Sequence, residues 1–300
     1  MRTVVTGGAG FIGSHVVDAL LARGDEVHVL DNLTSGKHEN LRDGSVFHEA
    51  DIRSEADAVF AEARPEVVFH LAAQASVSVS VERPELDADV NVLGTVRVLE
   101  AARRHGAQVV FSSTGGAIYG ECDRPAAEDA ERRPISPYGI SKLAGEEYLA
   151  GWNRLHGTRH VALRLGNVYG PRQDPHGEAG VVAIFLEVIA AGRRPRIFGD
   201  GTATRDYVYV GDVVRATLAA TGADGGVYNV ATGRETSVLE LVDRMRAVTG
   251  TDVEAEHAEP RLGDLQRSVL DPSLAKRELG WRAEASLDDG LASTWDFFRG

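Results

Sequence analysis

Three hundred residues lie near the length at which a single hydrophobic core stops growing, so one large α/β domain with a smaller lobe is expected. Hydrophobic residues make up 43% of the chain and charged residues 26%, which excludes a disordered or fibrous chain. The net charge of −13, with no stripe of Lys and Arg, argues against a nucleic-acid partner, although an anionic ligand needs only a locally positive pocket.

Cys122 is the only cysteine, so no intrachain disulfide can form and its thiol needs no role. The chain enters a strand within its first residues, without a charged leader and apolar core ahead of it. A run of about 18 apolar residues, the length that spans a bilayer, occurs nowhere. A cytoplasmic protein with no membrane partner is expected.

Alternating short apolar runs and helical periodicity over the first two thirds predict βαβ units and a parallel sheet. Thr3–Thr6 reads as a buried strand, Phe11–Arg23 as a helix closed by Gly24, and Glu26–Asp31 as the next strand. Further strands are expected at Val46–Glu49, Val67–Leu71, Val109–Ser113 and Val161–Leu165. Glu85–His105 reads as one long helix with Leu86, Val90, Leu93 and Val96 on a face and Gly106 ending it. Pro137–Leu155 reads as another, with Ser136 as N-cap and Pro137 in its first turn. After Gly166 the texture changes to loops and short elements, with a helix near Val181–Ala191. Such a stretch belongs over the carboxyl ends of a parallel sheet, where ligands bind. From Ser237 to Gly300, two or three helices are expected around a strand near Asp252–Ala255. The fold class is therefore α/β, a Rossmann-type doubly wound parallel sheet with a smaller α/β substrate-binding lobe. Residues 1–166, with a returning segment near 206–231, would form the first unit, and 167–205 with 232–300 the second.

The run Gly7-Gly8-Ala9-Gly10-Phe11-Ile12-Gly13 sits between the first strand and the first helix. Gly8, Gly10 and Gly13 satisfy G-x-G-x-x-G, and Gly7, Gly10 and Gly13 the related G-x-x-G-x-x-G. Missing side chains let the turn close and let backbone N–H groups reach a pyrophosphate at the helix N-terminus. Glycines alone also make ligand-free turns. Here Asp31 ends the second strand 18 residues after Gly13, placed to accept from ribose hydroxyls and to repel a 2′-phosphate. NAD is the expected cofactor; Lys37 nearby pulls in the other direction.

Tyr138 and Lys142, four residues apart on a helix, share a face, and Ser112, Ser113 and Thr114 end a strand at the sheet's carboxyl edge. Removing hydride from a carbinol carbon requires a base for the hydroxyl proton. A free phenol titrates near 10, so serving near pH 7 means lowering its pKa by about 3 units, or about 4 kcal/mol. The Lys142 ammonium, a nicotinamide positive charge and a helix N-terminus are expected to act in that direction. Tyr-x-x-x-Lys alone is common on surface helices; its company with the glycine turn and the Ser/Thr strand end gives it weight. No metal is expected.

With GGAGFIGSH, DNLTSG (Asp31–Gly36), HLAAQ (His70–Gln74), SSTGGAIYG and YGISK in order, the chain resembles the extended short-chain dehydrogenase/reductase family. NVYGPRQDP, GDGTATRDYVYVGDVV and RLGDLQ narrow the resemblance to its sugar-nucleotide 4-epimerases of the UDP-galactose type. It runs from about residue 1 to 282. This resemblance implies a seven-stranded Rossmann domain that holds NAD tightly, a smaller lobe that holds a UDP-sugar, and a homodimer packed through the 85–105 and 137–155 helices. It implies that Tyr138 takes the 4-hydroxyl proton while the C4 hydride passes to NAD, giving a 4-keto sugar that turns over and is reduced on its opposite face. Thr114 would hydrogen-bond O4, and Lys142 would also hold the nicotinamide ribose. Gly7, Gly10, Phe11, Ile12, Gly13, Asn32, Ser35 and Gly36 would line the pyrophosphate and adenosine end, with Asp51 and Ile52 at the adenine. Leu71, Ala72, Ala73, Asn91 and Ser112 would follow the NAD groove. Asn167 would touch the UDP diphosphate, and Val182, Ile197 and Phe198 would border the uridine. Arg205 and Arg261 would bind phosphates, which guanidinium forks match bidentately, with Asp264 holding Arg261 or a ribose hydroxyl.

Two departures stand out. SSTGGAIYG is one residue longer than the SSSxxVYG form of many relatives, which alters the loop beyond Thr114. Ser268 lies where a bulky aromatic excludes C2 N-acetyl sugars in some members, so a small residue there implies turnover of UDP-GlcNAc and UDP-GalNAc as well. Three alternatives stay open. A 4,6-dehydratase would carry Asp-Glu after the threonine, where Gly115-Gly116 stands here. A UDP-glucuronate 4-epimerase or decarboxylase could use Arg172 or another pocket cation on a C6 carboxylate. A non-catalytic NAD-binding relative would not need Tyr138 and Lys142.

Overall fold

A computed structural model describes residues 1–176, 180–260 and 265–299. The first six strands are β1 (Arg2–Thr6), β2 (Glu26–Asp31), β3 (Ser45–Glu49), β4 (Val67–His70), β5 (Gln108–Thr114) and β6 (Val161–Leu165). Four short strands follow: β7 (Asn167–Tyr169), β8 (Arg196–Phe198), β9 (Thr204–Arg205) and β10 (Tyr207–Tyr209). The chain then returns with β11 (Gly226–Val230), and closes its strands with β12 (Thr236–Ser237), β13 (Glu256–Ala258) and β14 (Arg267–Ser268).

Seven strands form one parallel sheet in the order β11-β6-β5-β4-β1-β2-β3, the Rossmann-type doubly wound α/β fold the sequence pattern predicts. Adjacent residues face opposite layers. Val5 packs with Val16, Leu20 and Val213 on one side, while Val4 packs with Phe60, Leu99 and Phe111 on the other. Burial on both faces explains why these strands read as unbroken apolar runs. Strand order reverses between β4 and β1, so the crevice between their carboxyl ends is where such sheets bind ligands. A third apolar cluster, with Phe185, Leu186, Ile197, Leu241 and Leu291, lies under the short strands and the last helices.

The Phe11–Ala22 helix begins directly after Gly10, and Gly24 follows its end at φ +84°. The Pro137–His156 helix starts as predicted, with the Ser136 hydroxyl accepting from the Gly139 N–H. Two expectations need correction. The strand expected near Asp252–Ala255 lies instead at Glu256–Ala258, where parallel pairing with β8 supplies its partners. The single helix expected over Glu85–His105 is broken into Pro84–Asp87, a π-helical Ala88–Leu93 and an α-helical Gly94–His105. The wide turn accompanies side-chain competition for the backbone: the Thr95 hydroxyl donates to the Asn91 carbonyl at 2.6 Å. Apolar periodicity cannot register such a local rewinding, because the stripe continues through it.

Candidate active site

The glycine turn leaves β1 at Gly7, whose φ of +73° only glycine adopts freely, and the Gly7 N–H donates to the Leu30 carbonyl at 2.8 Å. A Cβ on Gly7 would stand 2.7 Å from the Ala72 nitrogen, and one on Gly13 would overlap the Gly7 carbonyl oxygen. The turn therefore packs backbone against backbone at the switch point. Asp31 is nearly buried at the end of β2, where its carboxylate accepts from the N–H groups of Ala9 at 3.0 Å and Leu33 at 2.9 Å. Gly36 lets its loop lie against that carboxylate, since a Cβ there would be 2.8 Å from Asp31 Oδ1.

These elements open onto a cavity of about 860 Å³, within the roughly 300–1,000 Å³ of ligand sites. Its walls bring together Gly7, Gly10, Phe11, Ile12, Gly13, Asp31, Asn32 and Ser35, with Asp51 and Ile52 on one side. Leu71, Ala72, Ala73, Ser112, Thr114, Tyr138 and Lys142 complete it. Gly36 sits behind Asp31 and is not in the wall. Asn91 is also set back: it is buried in the π segment, accepts from the Gln74 N–H at 2.9 Å, and donates to the Gln74 carbonyl at 2.8 Å and to Asp87 at 3.0 Å. Lys37 lines the cavity but is paired with Asp174 at 3.4 Å. The glycine turn, the helix N-terminus beyond it and the Asp31 carboxylate suit the pyrophosphate and ribose of a dinucleotide without 2′-phosphate.

At the other end, Lys142 is buried with its Nζ donating to the Ser112 carbonyl at 2.9 Å and lying 4.8 Å from the Phe111 ring centre. Burial lowers its pKa to about 8, against the opposing pull of Asp87 and Glu146. Tyr138 behaves differently from the sequence expectation. Burial, reinforced by Asp87, pushes its phenol up to about 12, and only a hydrogen bond with Thr114 works the other way. The chain alone thus holds Tyr138 neutral; Lys142 is not among the groups that lower it. One turn further along the helix, Glu146 makes a fully buried ion pair with Arg164 at 2.7 Å and accepts from Ser113 at 2.5 Å. That pair ties the helix to β5 and β6.

A second cavity of about 260 Å³ shares Phe11, Ile12 and Tyr138 with the first and is bordered by Asn167, Val182 and Tyr207. The remaining substrate residues of the expectation lie elsewhere. Ile197 is buried in the third core cluster and Phe198 is 39% exposed beside it, neither in a cavity wall. Arg205 donates to its neighbour's carbonyl at Thr204, and Ser268 is buried opposite it in the β9–β14 register. Arg261 and Asp264 fall outside the described residues. Sequence reasoning missed Tyr207, whose buried hydroxyl has no partner among the described residues although it lines the second cavity. Its place inside DYVYV was the one available signal. Gln74, Arg172 and Gln173 also line the first cavity without having been singled out as cofactor ligands.

A doubly wound sheet with a dinucleotide turn, and a Tyr/Lys/Thr set one cavity-length away, defines an NAD-dependent enzyme of the Rossmann type acting on an alcohol or ketone carbon. More narrowly, the chain belongs to the NAD dependent epimerase/dehydratase family, whose model matches residues 3–231. It is 51% identical over 309 aligned positions to the UDP-glucose 4-epimerase of Mycolicibacterium smegmatis, covering 100% of this chain and 99% of that one. Among solved structures, it is 50% identical to UDP-glucose 4-epimerase with UDP-glucose from Thermotoga maritima, with a TM-score of 0.98 and coverage of 100% and 99%. The Thermus thermophilus UDP-glucose 4-epimerase complex with NAD matches with a TM-score of 0.95, 50% identity and the same coverage. Among the described residues, no helix is long and apolar enough to cross a membrane, and no cluster of His, Cys, Asp and Glu could hold a metal.

The depressed Lys142 gives a pH prediction for cofactor-free protein. Its folded pKa of about 8 lies below the ordinary 10.5, so between those values the unfolded chain binds more protons and stability rises with pH. Below about 8 the buried ammonium is a full liability. Lys142→Met is expected to unfold at higher urea concentration than the parent at pH 7, with the gap narrowing toward pH 10, and to have lost activity. An unchanged or lower midpoint at pH 7 contradicts this charge assignment.

Proposed function

We propose that the chain is a UDP-glucose/UDP-galactose 4-epimerase that works with tightly bound NAD. The observation carrying this reading is that Tyr138 lies in the wall of both cavities, one suited to a dinucleotide and the other to a second ligand. A base at that junction reaches a carbinol presented from one side and a redox ring presented from the other. Bound NAD would supply a reversible acceptor for the hydrogen at C4, so the reaction has no net redox and the cofactor need not leave.

The chain's own residues do the rest. Tyr138 accepts the proton of the 4-hydroxyl at its phenolic oxygen and later returns it. Thr114, hydrogen-bonded to Tyr138, orients O4 and relays the proton. Lys142, fixed on the Ser112 carbonyl, presents a positive charge and donors to the nicotinamide ribose. Asn167, at the second cavity, serves the diphosphate, and Val182 serves the uridine. Arg205, Arg261, Asp264, Ile197 and Phe198 are assigned to that end by the resemblance alone, with Arg261 and Asp264 outside the described residues. Residues 1–166 with 206–231 would hold NAD, and 167–205 with 232–300 would hold the UDP-sugar; pairing of β11 with β6 supports the returning segment.

Ser268 favours a second substrate class. It is small and buried opposite Arg205, and the resemblance puts it where an aromatic side chain would exclude C2 N-acetyl groups. UDP-GlcNAc and UDP-GalNAc are therefore proposed substrates. The uronate reading has weaker support, because Arg172 pairs with Asp18 at 2.5 Å. We propose a homodimer as well: Leu93, Ile140 and Tyr148 are 50%, 55% and 40% exposed on the two long helical segments. The protein is placed in the cytoplasm on its single cysteine.

Purified protein given UDP-galactose, without added NAD, is expected to form UDP-glucose to equilibrium; absence of conversion even with NAD supplied rejects the assignment. Ser268→Tyr should abolish turnover of the N-acetyl sugars while sparing UDP-galactose, and loss of both or neither refutes the gate. Tyr148→Arg is expected to sediment as a monomer, and a persisting dimer would move the interface elsewhere.

A further inference from the structure

Two buried carboxylates act on Lys142, and they are held in opposite ways. Glu146 is cancelled by Arg164 at 2.7 Å. Asp87, at the end of the Pro84–Asp87 helix, is 1% exposed and has no ion pair among the described residues. Its Oδ1 accepts instead from two neutral amides, Gln74 Nε2 at 2.9 Å and Asn91 Nδ2 at 3.0 Å. Burying a carboxylate without a cation is costly, and amide donors lower that cost while leaving the charge in place.

The same amides fix where the charge sits. Asn91 Nδ2 also reaches the Gln74 carbonyl at 2.8 Å and the Ser141 hydroxyl at 3.2 Å, and that hydroxyl donates to the Tyr138 carbonyl at 3.0 Å. A chain of hydrogen bonds thus runs from Asp87 through Asn91 to the helical turn that carries Tyr138 and Lys142. Gln74 and Leu86 are in the wall of the first cavity and Asp87 is not, so the carboxylate acts from behind the site.

Lys142 needs such a counter-charge. Its ammonium rests on one carbonyl and one ring, and with Asp87 and Glu146 both pulling it up it titrates only at about 8. Loss of one opposing charge is enough to discharge it at neutral pH. Other charged groups on the surrounding elements do not substitute. His70 on β4 is neutral, since burial and Lys142 lower its pKa to about 3. Glu146 is spent on Arg164 and Asp89 pairs with Arg53, while Glu82, Arg83 and Glu85 are exposed to solvent.

We infer, resting on the 4-epimerase reading, that Asp87 is a positioning residue for that reaction: its carboxylate is the fixed counter-charge that keeps Lys142 an ammonium, while the Asn91 and Ser141 bonds hold the turn carrying Tyr138. The same charge opposes ionisation of the phenol, so the phenolate that does form is the stronger base.

Asp87→Asn is the discriminating variant. Both amides meet the same oxygen, where the asparagine carbonyl can stand, so the hydrogen bonds stay and the charge goes. Removing a negative charge favours the deprotonated form of phenol and ammonium alike, so both limbs of the kcat–pH profile should move to lower pH. With NAD-loaded enzyme and UDP-galactose, a displacement on the order of one pH unit is expected for one charge at moderate effective dielectric. KM for UDP-galactose should stay within about twofold of the parent, because Asp87 borders neither cavity. Asp87→Glu, which retains the charge, should bring the profile back toward the parent's, and Asp87→Ser replaces the amide variant if that one does not fold. A variant profile at the parent's pH, whatever its rate, overturns the inference. So does a change confined to KM, or failure of both Asp87→Asn and Asp87→Ser to fold, which marks a packing role. A parent that interconverts no UDP-hexose removes the 4-epimerase reading and this inference with it, whereas an active parent with an unmoved variant profile removes the inference alone.

Discussion

Everything at this site depends on a buried lysine ammonium seated on a strand-end carbonyl. The Lys142 to Ser112 hydrogen bond joins the Pro137–His156 helix to the end of β5, and it fixes where Tyr138 and Thr114 can be. It is held from below by the Glu146–Arg164 pair, which is sealed from solvent and satisfied further by Ser113 and Tyr119. A buried pair of this kind contributes more to a unique arrangement than to net stability. Burying an ammonium works against stability, and a site that retains one is placing charge where chemistry needs it.

The electrostatics divide labour between chain and cofactor. With burial and Asp87 both opposing ionisation, Tyr138 is a weak acid in the protein by itself. Oxidised NAD, held in the neighbouring cavity, would bring a positive ring that favours the phenolate. Such coupling would keep proton removal in step with the oxidation state of the ring. Thr114 is already hydrogen-bonded to that phenol in the chain by itself.

Strand order makes this geometry possible. Reversal between β4 and β1 opens the crevice at Gly7 and Ala72, while β5 delivers Ser112 to Thr114 one strand away along the same edge. Much of that was legible in the sequence, because its causes are local. Apolar runs announce buried parallel strands, a glycine run after a strand announces the turn, and Ser136-Pro137 announces the start of the catalytic helix. What escaped depends on distant partners. The π turn at Ala88–Leu93 follows from Thr95 and the Asn91 network, and no spacing rule records it. Arg172 and Tyr207 carry unpaired polar atoms whose burial exists only once the chain has folded around them. The same logic explains why Ile197 sits in a core and not at a cavity wall: an isoleucine carries no mark distinguishing the two. The upward push of burial on Tyr138 in the chain by itself was not legible either, since charge neighbours can be guessed from spacing but desolvation cannot.

The central claim is that the Tyr138 phenol in the cavity wall acquires its acidity from the bound cofactor. Near-ultraviolet absorbance of phenolate, followed through a pH titration as the difference between the parent protein and Tyr138→Phe, isolates that group. The account predicts a tyrosinate titrating several units below the ordinary phenol in protein loaded with oxidised NAD, and no such titration in cofactor-free or NADH-loaded protein. An identical titration in all three states, or none in any of them, would contradict it.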